Sequence, residues 1–368
     1  MNRWMAKSAI WNAAAALALF SAGAAHGQET DADKSTSRPD DPIAALIAAE
    51  TDDHPTDGPS PAVDQEPAAI LSNDADSAPP STDETESPAP APPSGIARSP
   101  MWRVADADSD VWLLGTFNIL PENLKWRTNA LLKAADLAET LWLEIEVDRP
   151  DAAEKTMQIL SRHGANPPGV TLTSLLSAED AARLEEVAGR LGLPMDAVER
   201  MRPWQAFLVL NVQFIASQGY DPGSGIQTSL LTEGRARGRH VVFFETIEQQ
   251  LGAFSTLDPE TEKNLLAIAL RDWDKQKEEF EALLEAWRAG DAAAIDRLAN
   301  DTMRTEAPKA YQALIVARNK AWAENIASSM KGSGRTLVVV GAANLVGPDS
   351  VPALLRAKGF EVTRYGAE

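Results

Sequence analysis

The chain has 368 residues, a formal net charge of −20 and no cysteine. The missing cysteine excludes disulfides, metal–thiolate sites and thiol nucleophiles. The acidic balance argues against nucleic acid or an anionic membrane as partner.

Residues 1–27 read as a secretory signal: Arg3 and Lys7, an apolar run from Ala9 to Phe20, then small residues with plausible cleavage at Ala22-Gly-Ala24 or Ala25-His-Gly27. The run is too short for a bilayer, which needs about 20 residues. The mature chain is therefore expected in the periplasm or outside the cell, with no transmembrane segment. Residues 28–98 are rich in Asp, Glu, Pro, Ala and Ser and contain no Phe, Trp or Tyr. Such a segment cannot bury enough apolar surface to offset its ordering entropy, and is expected to be a disordered, dispensable linker. Only residues 43–50 have helical character, for a turn or two. Up to residue 98 the chain carries 5 Lys+Arg against 16 Asp+Glu; beyond it, 29 against 38.

Residues 99–368 are long enough for one α/β domain with a full core. Two apolar runs around Asp106-Ala-Asp108-Ser-Asp110 give a hairpin signal. A helix over 126–138, a strand over 140–146 and a helix over 151–162 follow. Ser177 opens a helix that ends near Gly192 and Pro194. Pro203 begins a strongly apolar helix, which Asn211 and Gln213 mark as core rather than membrane. A helix over 225–237 and a strand over 240–245 come next. Asp258-Pro259 caps a helical stretch to residue 330, broken at Gly290. Strands over 336–340 and 360–365 flank a helix near 351–357. Strands at both ends of the domain with a helical middle predict a central mixed β-sheet built from N- and C-terminal strands, with flanking helices.

Two stretches are copies of one device: Val111-Trp-Leu-Leu-Gly115-Thr-Phe-Asn118 and Leu337-Val-Val-Val-Gly341-Ala-Ala-Asn344. Each is a buried-strand run ending in Gly-x-x-Asn, then a turn with Pro121 or Pro348, a helix and another strand. Open α/β sheets place their sites across strand ends, so Asn118 and Asn344 are expected to face one crevice. Glu144 and Glu245 also sit at strand ends. A carboxylate in an apolar strand needs a partner or a metal, or caps a neighbouring backbone group. Glu146 shares a strand face with Glu144. Glu245 could simply serve a helix N-terminus. Arg318, in a helix with Trp322, is expected to pair with a core carboxylate more readily than with substrate.

Trp102-Arg103-Val104, Leu113-Leu-Gly-Thr116, Leu141-Trp-Leu-Glu144, Phe244-Glu-Thr246 with Glu248-Gln249, Arg318-Asn319 and Val340-Gly-Ala-Ala-x-Leu-Val-Gly347 together resemble the TraB/GumN family, which is related to the Tiki proteases. The resemblance runs from Met101 to Arg364. It implies two Gly-x-x-His motifs and a Glu on the strand after the first, with a divalent manganese or cobalt ion serving a peptidase. Here both His positions hold Asn, at Asn118 and Asn344, while Glu144 is kept. Gln227 stands where many relatives have Asp. The chain's four His (His26, His54, His163 and His240) lie outside the motifs. Imidazole suits such ions, whereas amide oxygen is a weak, hard ligand. No cofactor is therefore expected. The leading expectation is a binding or scaffold protein with a degenerate metal site and an unidentified peptide, protein or polysaccharide-related partner. The alternatives are a purely structural partner-binding domain and an active hydrolase. In the hydrolase, Glu144 or Glu245 would be the base, and Asn118 and Asn344 would donate to an oxyanion.

Overall fold

A computed structural model describes residues 95–121, 124–146, 148–218 and 225–366. The signal and nearly all of the acidic linker lie outside the described residues.

Strands β1 (Met101–Ala105) and β2 (Ser109–Thr116) form the expected antiparallel hairpin. Its turn is held by Asp106, whose Oδ1 accepts from the backbone N–H of Asp108 at 3.2 Å and of Ser109 at 2.8 Å. This is the local side-chain turn that Asp favours. Strands β3 (Thr140–Leu143), β4 (His240–Phe243), β5 (Gly334–Gly341) and β6 (Val362–Arg364) complete a six-stranded sheet in the order β4-β3-β5-β2-β1-β6. The pairs β2–β5, β3–β5 and β3–β4 are parallel, and β6 pairs antiparallel with β1. The sheet is mixed and joins both ends of the domain, as expected.

The central strands are continuous apolar runs because both of their faces are covered. Val111, Leu113 and Leu114 of β2 and Leu337 to Val340 of β5 are all buried. The covering helices are α1 (Asn129–Leu137), α2 (Ala152–His163), α3 (Ala178–Arg190), α4 (Pro203–Ser217), α5 (Ile226–Ala236), α6 (Ile247–Ser255), α7 (Pro259–Arg271), α8 (Gln276–Ala289), α9 (Ala292–Ala299), α10 (Asp301–Glu306), α11 (Ala317–Ser329) and α12 (Val351–Ala357). Helix α4 is buried on nearly all sides, with Trp204, Phe207, Leu208 and Leu210 at most 1% exposed. Among the described residues no helix is long and apolar enough to cross a membrane. Helix α8 ends where Gly290 adopts φ +68°, a left-handed stop suited to glycine. A π-helical turn at Gln312–Val316 leads directly into α11.

Three strands are shorter than the sequence suggests, β6 being confined to Val362–Arg364. β3 stops at Leu143, so Glu144 lies just past a strand end instead of within a strand. The N–H of Gly341 opposite is taken by the Glu144 side chain rather than by a strand carbonyl. β4 stops at Phe243, although Phe244 and Glu245 still donate to the Leu143 and Glu144 carbonyls at 2.9 Å. Thr246 then caps α6 through a reciprocal pair with Gln249.

Candidate functional site

The parallel strands β2, β5, β3 and β4 all end on one edge of the sheet, and the polar residues of interest collect there. Glu144 follows β3 and is 1% exposed. A carboxylate so buried must be saturated with donors. Its Oε1 accepts from Gly341 N–H at 2.7 Å and from Gln227 Nε2 at 3.1 Å. Its Oε2 accepts from Arg318 Nη2 at 2.9 Å and, more distantly, from Gln250 Nε2 at 3.5 Å.

Arg318, on the first turn of α11, lies between two carboxylates. Its Nε and Nη2 engage Glu245 at 2.9 Å each, while Nη2 also reaches Glu144. Its guanidinium sits 4.7 Å from the Trp322 ring centre, and Trp322 Nε1 donates to Glu245 Oε1 at 3.0 Å. Burial pulls the Arg318 pKa down, but the charges of Glu245 and Glu144 outweigh it and the net shift is upward. The guanidinium therefore stays charged between its two carboxyl partners.

Asn118 and Asn344 flank this triad. Asn118 Oδ1 accepts from Thr116 Oγ1 at 2.9 Å and from Gln227 Nε2 at 3.0 Å. Since Gln227 Nε2 also serves Glu144, one amide links the first Gly-x-x-Asn to the carboxylate. Asn344 Nδ2 donates to Asn319 Oδ1 at 2.9 Å, and Asn319 Nδ2 donates to the Asp349 carbonyl. A Cβ built on Gly341 would lie 3.3 Å from Asn344 Oδ1 and 3.4 Å from Glu144 Oε1, so the second Asn converges on the same carboxylate. Asn118 Nδ2 and Asn344 Oδ1 make no hydrogen bond among the described residues.

The structure thus brings Asn118, Glu144, Glu245, Arg318 and Asn344 into one cluster. Glu146 is not among them: it turns outward to Arg235 at 2.6 Å. Gln250, Asn319 and Thr116 are not marked as site residues by the sequence, and Gln227 only as a departure from the family pattern. Gln250 is 2% exposed, and its Oε1 has no hydrogen-bond partner among the described residues. Its Gln-Gln neighbourhood in an amphipathic helix gives no sign of this. Among the described residues no three His, Cys, Asp or Glu side chains are grouped as metal ligands. Beside Glu245, a cleft of about 270 Å³ opens between the strand ends and the start of α6, lined by Phe243, Phe244, Glu146, Arg149, Lys155 and Glu248 among others.

An uncharacterized protein of Treponema pallidum (strain Nichols) is 27% identical to this chain over 272 residues, covering 70% of this chain and 80% of that protein. The uncharacterized protein YbaP of Escherichia coli (strain K12) is 22% identical over 244 residues, 66% of this chain and 87% of YbaP. YbaP of Shigella flexneri matches to the same extent. No solved structure matches the chain. The model of the TraB/PrgY/gumN family matches residues 100–364, the whole sheet and every element around it, and the chain belongs to that family.

Proposed function

We propose that this is an exported, periplasmic or secreted protein that binds a peptide-like ligand or protein partner at the strand-end crevice. In this reading a Tiki-type metal site has become a closed polar cluster. The observation that carries it is the state of Glu144, whose two oxygens are taken by Gly341, Gln227, Arg318 and Gln250. The flanking positions offer neutral amides where imidazoles would be needed for manganese or cobalt, and a guanidinium lies 2.9 Å from the carboxylate that would complete the set. These residues do not fit such an ion. A hydrolytic role for Glu144 or Glu245 is disfavoured on the same grounds, because a general base needs a free lone pair directed at a proton. Both carboxylates instead face Arg318.

Binding is favoured by what the cluster leaves over. Asn118 Nδ2 is a donor and Asn344 Oδ1 an acceptor, complementary to the carbonyl and N–H of a peptide group. The adjoining cleft adds aromatic surface and charges of both signs. Calorimetric titration of the chelator-stripped protein with manganese and with cobalt tests the proposal. Wild type should take up neither ion stoichiometrically, while Asn118→His combined with Asn344→His should gain a site that either single change lacks. A tight stoichiometric ion in wild type would overturn the reading and restore a metal-dependent peptidase.

A further inference from the structure

A second concavity lies on another part of the fold, between α1 and α5. Its volume is about 210 Å³, and its walls include Leu131, Leu132, Leu141, Leu230 and Leu337. Among the described residues the exposed large hydrophobics are Ile96, Leu132 and Leu137. Two of these lie on α1. The third adjoins Ala97, whose N–H donates to the Lys125 carbonyl at 2.7 Å on the segment leading into α1. Apolar exposure therefore gathers where the chain enters the domain and on the helix beside it.

The rim of this groove is basic, although the fold as a whole is acidic. Arg127, Arg237 and Arg239 stand there against Asp136 and Glu233. Arg127 is paired with Glu233, and Arg237 with Asp136 at 2.7 Å. Arg239 makes no close ion pair among the described residues, and Asp136 and Glu233 act on it by charge alone. Burial, and secondarily Arg237, lower its pKa against the opposing pull of Asp136 and Glu233, so three arginines share two carboxylates at this rim.

The sequence N-terminal to the fold holds one segment with the matching chemistry. Residues 28–98 are acidic and aromatic-free, yet Ile43, Leu46 and Ile47 recur there at i, i+3 and i+4. That spacing puts three aliphatic side chains on one helical face. Asp41-Pro42 precedes them with an N-cap and first-turn signal, and Asp40, Asp41, Glu50, Asp52 and Asp53 surround them. We propose that residues 43–50 of the chain's own N-terminal segment dock as an amphipathic turn in the groove between α1 and α5, their acidic flanks meeting Arg239 and the neighbouring arginines. The recognition mode is that of an apolar helix face laid into a groove.

The tether makes this contact feasible. Gly95 and Ile96 immediately precede the Ala97–Lys125 bond, and Arg127 follows Lys125 by two residues at the groove's edge. By covalent geometry alone the chain between Glu50 and Gly95 can span any distance up to roughly 150 Å. Linkage of this kind gives millimolar effective concentration, so a contact of modest affinity is enough. The docked segment would shield Leu132 without entering the core.

The cysteine-free chain allows a direct test. Ala49→Cys with Ala135→Cys places one thiol on the tail and one in the groove wall of the full-length protein. Under mild oxidation this pair should close an intramolecular disulfide at least tenfold faster than Ala69→Cys with Ala135→Cys, whose tail thiol is nearer the fold but outside the segment. Adding Leu46→Asp and Ile47→Asp should remove the advantage, and amide exchange in α1 should quicken in the same variant. Equal rates for the two pairs would overturn the proposal. A disulfide found only between two molecules would also overturn it, in favour of docking between copies.

Discussion

The two Gly-x-x-Asn strand ends are alike in sequence and opposite in use. They lie side by side, since β2 and β5 are parallel partners and Thr116 sits opposite Gly341. At the first, the glycine closes a packing contact: Gly115 O accepts from Trp287 Nε1 at 2.8 Å, and a Cβ on Gly115 would come within 3.0 Å of Pro100 and 3.1 Å of the Ala342 backbone. At the second, the Gly341 N–H is spent on Glu144. Asn118 accepts through its oxygen, whereas Asn344 donates through its nitrogen. A repeated motif therefore fixes where a side chain arrives, and the surrounding donors and acceptors decide what it does there.

The comparison breaks most completely at Arg318, which connects the Glu144 side of the cluster to Glu245. Arg318→Met would leave the buried Glu144 and the partly buried Glu245 without their shared cation, and chemical denaturation should show a loss of about 3–5 kcal/mol, the usual consequence of stranding a buried charge. Glutamate-to-glutamine changes at 144 and 245 in that background should recover part of it. The glycines sharpen the contrast at smaller scale. Gly115→Ala meets backbone and a proline ring, so it should cost roughly 1–3 kcal/mol as overpacking. Gly341→Ala meets side-chain oxygens at 3.3 and 3.4 Å and should cost clearly less in the same experiment. Equal losses would mean that the two ends are packed alike. The smallest effect separates the amides. Asn344→Ala strands Asn319 Oδ1 in a residue with 0% exposure, whereas Asn118→Ala leaves Gln227 and Thr116 with other partners. The first should be the less stable by about 1 kcal/mol, read as a difference in melting midpoint.

Much of this was legible before the structure. The apolar runs of β2 and β5 specify buried strands, and the strand-poor middle forces the two ends of the domain into one sheet. The convergence of Asn118, Glu144 and Asn344 follows from that pairing. The role of Arg318 as a carboxylate partner was also readable from its place beside Trp322. Gln250 and Asn319 were not legible as site residues, because a buried amide on a helix carries no periodicity signal until its tertiary neighbour is known. Glu146 was misleading for the complementary reason: alternation would put it beside Glu144, but the strand ends at Leu143 and alternation ends with it.

The pairing of β2 with β5 also has a consequence in time. Thr116 Oγ1 donates to the Val340 carbonyl across a sequence separation of 224 residues, and the whole central ladder spans a similar interval. Contacts of such long range form slowly, because the closure entropy of the intervening chain is lost before the contacts compensate for it. Hairpin β1–β2 and the helices can form early from local signals, but Glu144 has no Gly341 to bind until β5 arrives. A chain emerging from its N-terminus therefore carries an unfinished sheet, with one side of β2 open, through most of its synthesis. The crevice can acquire its shape only once β5 is in place.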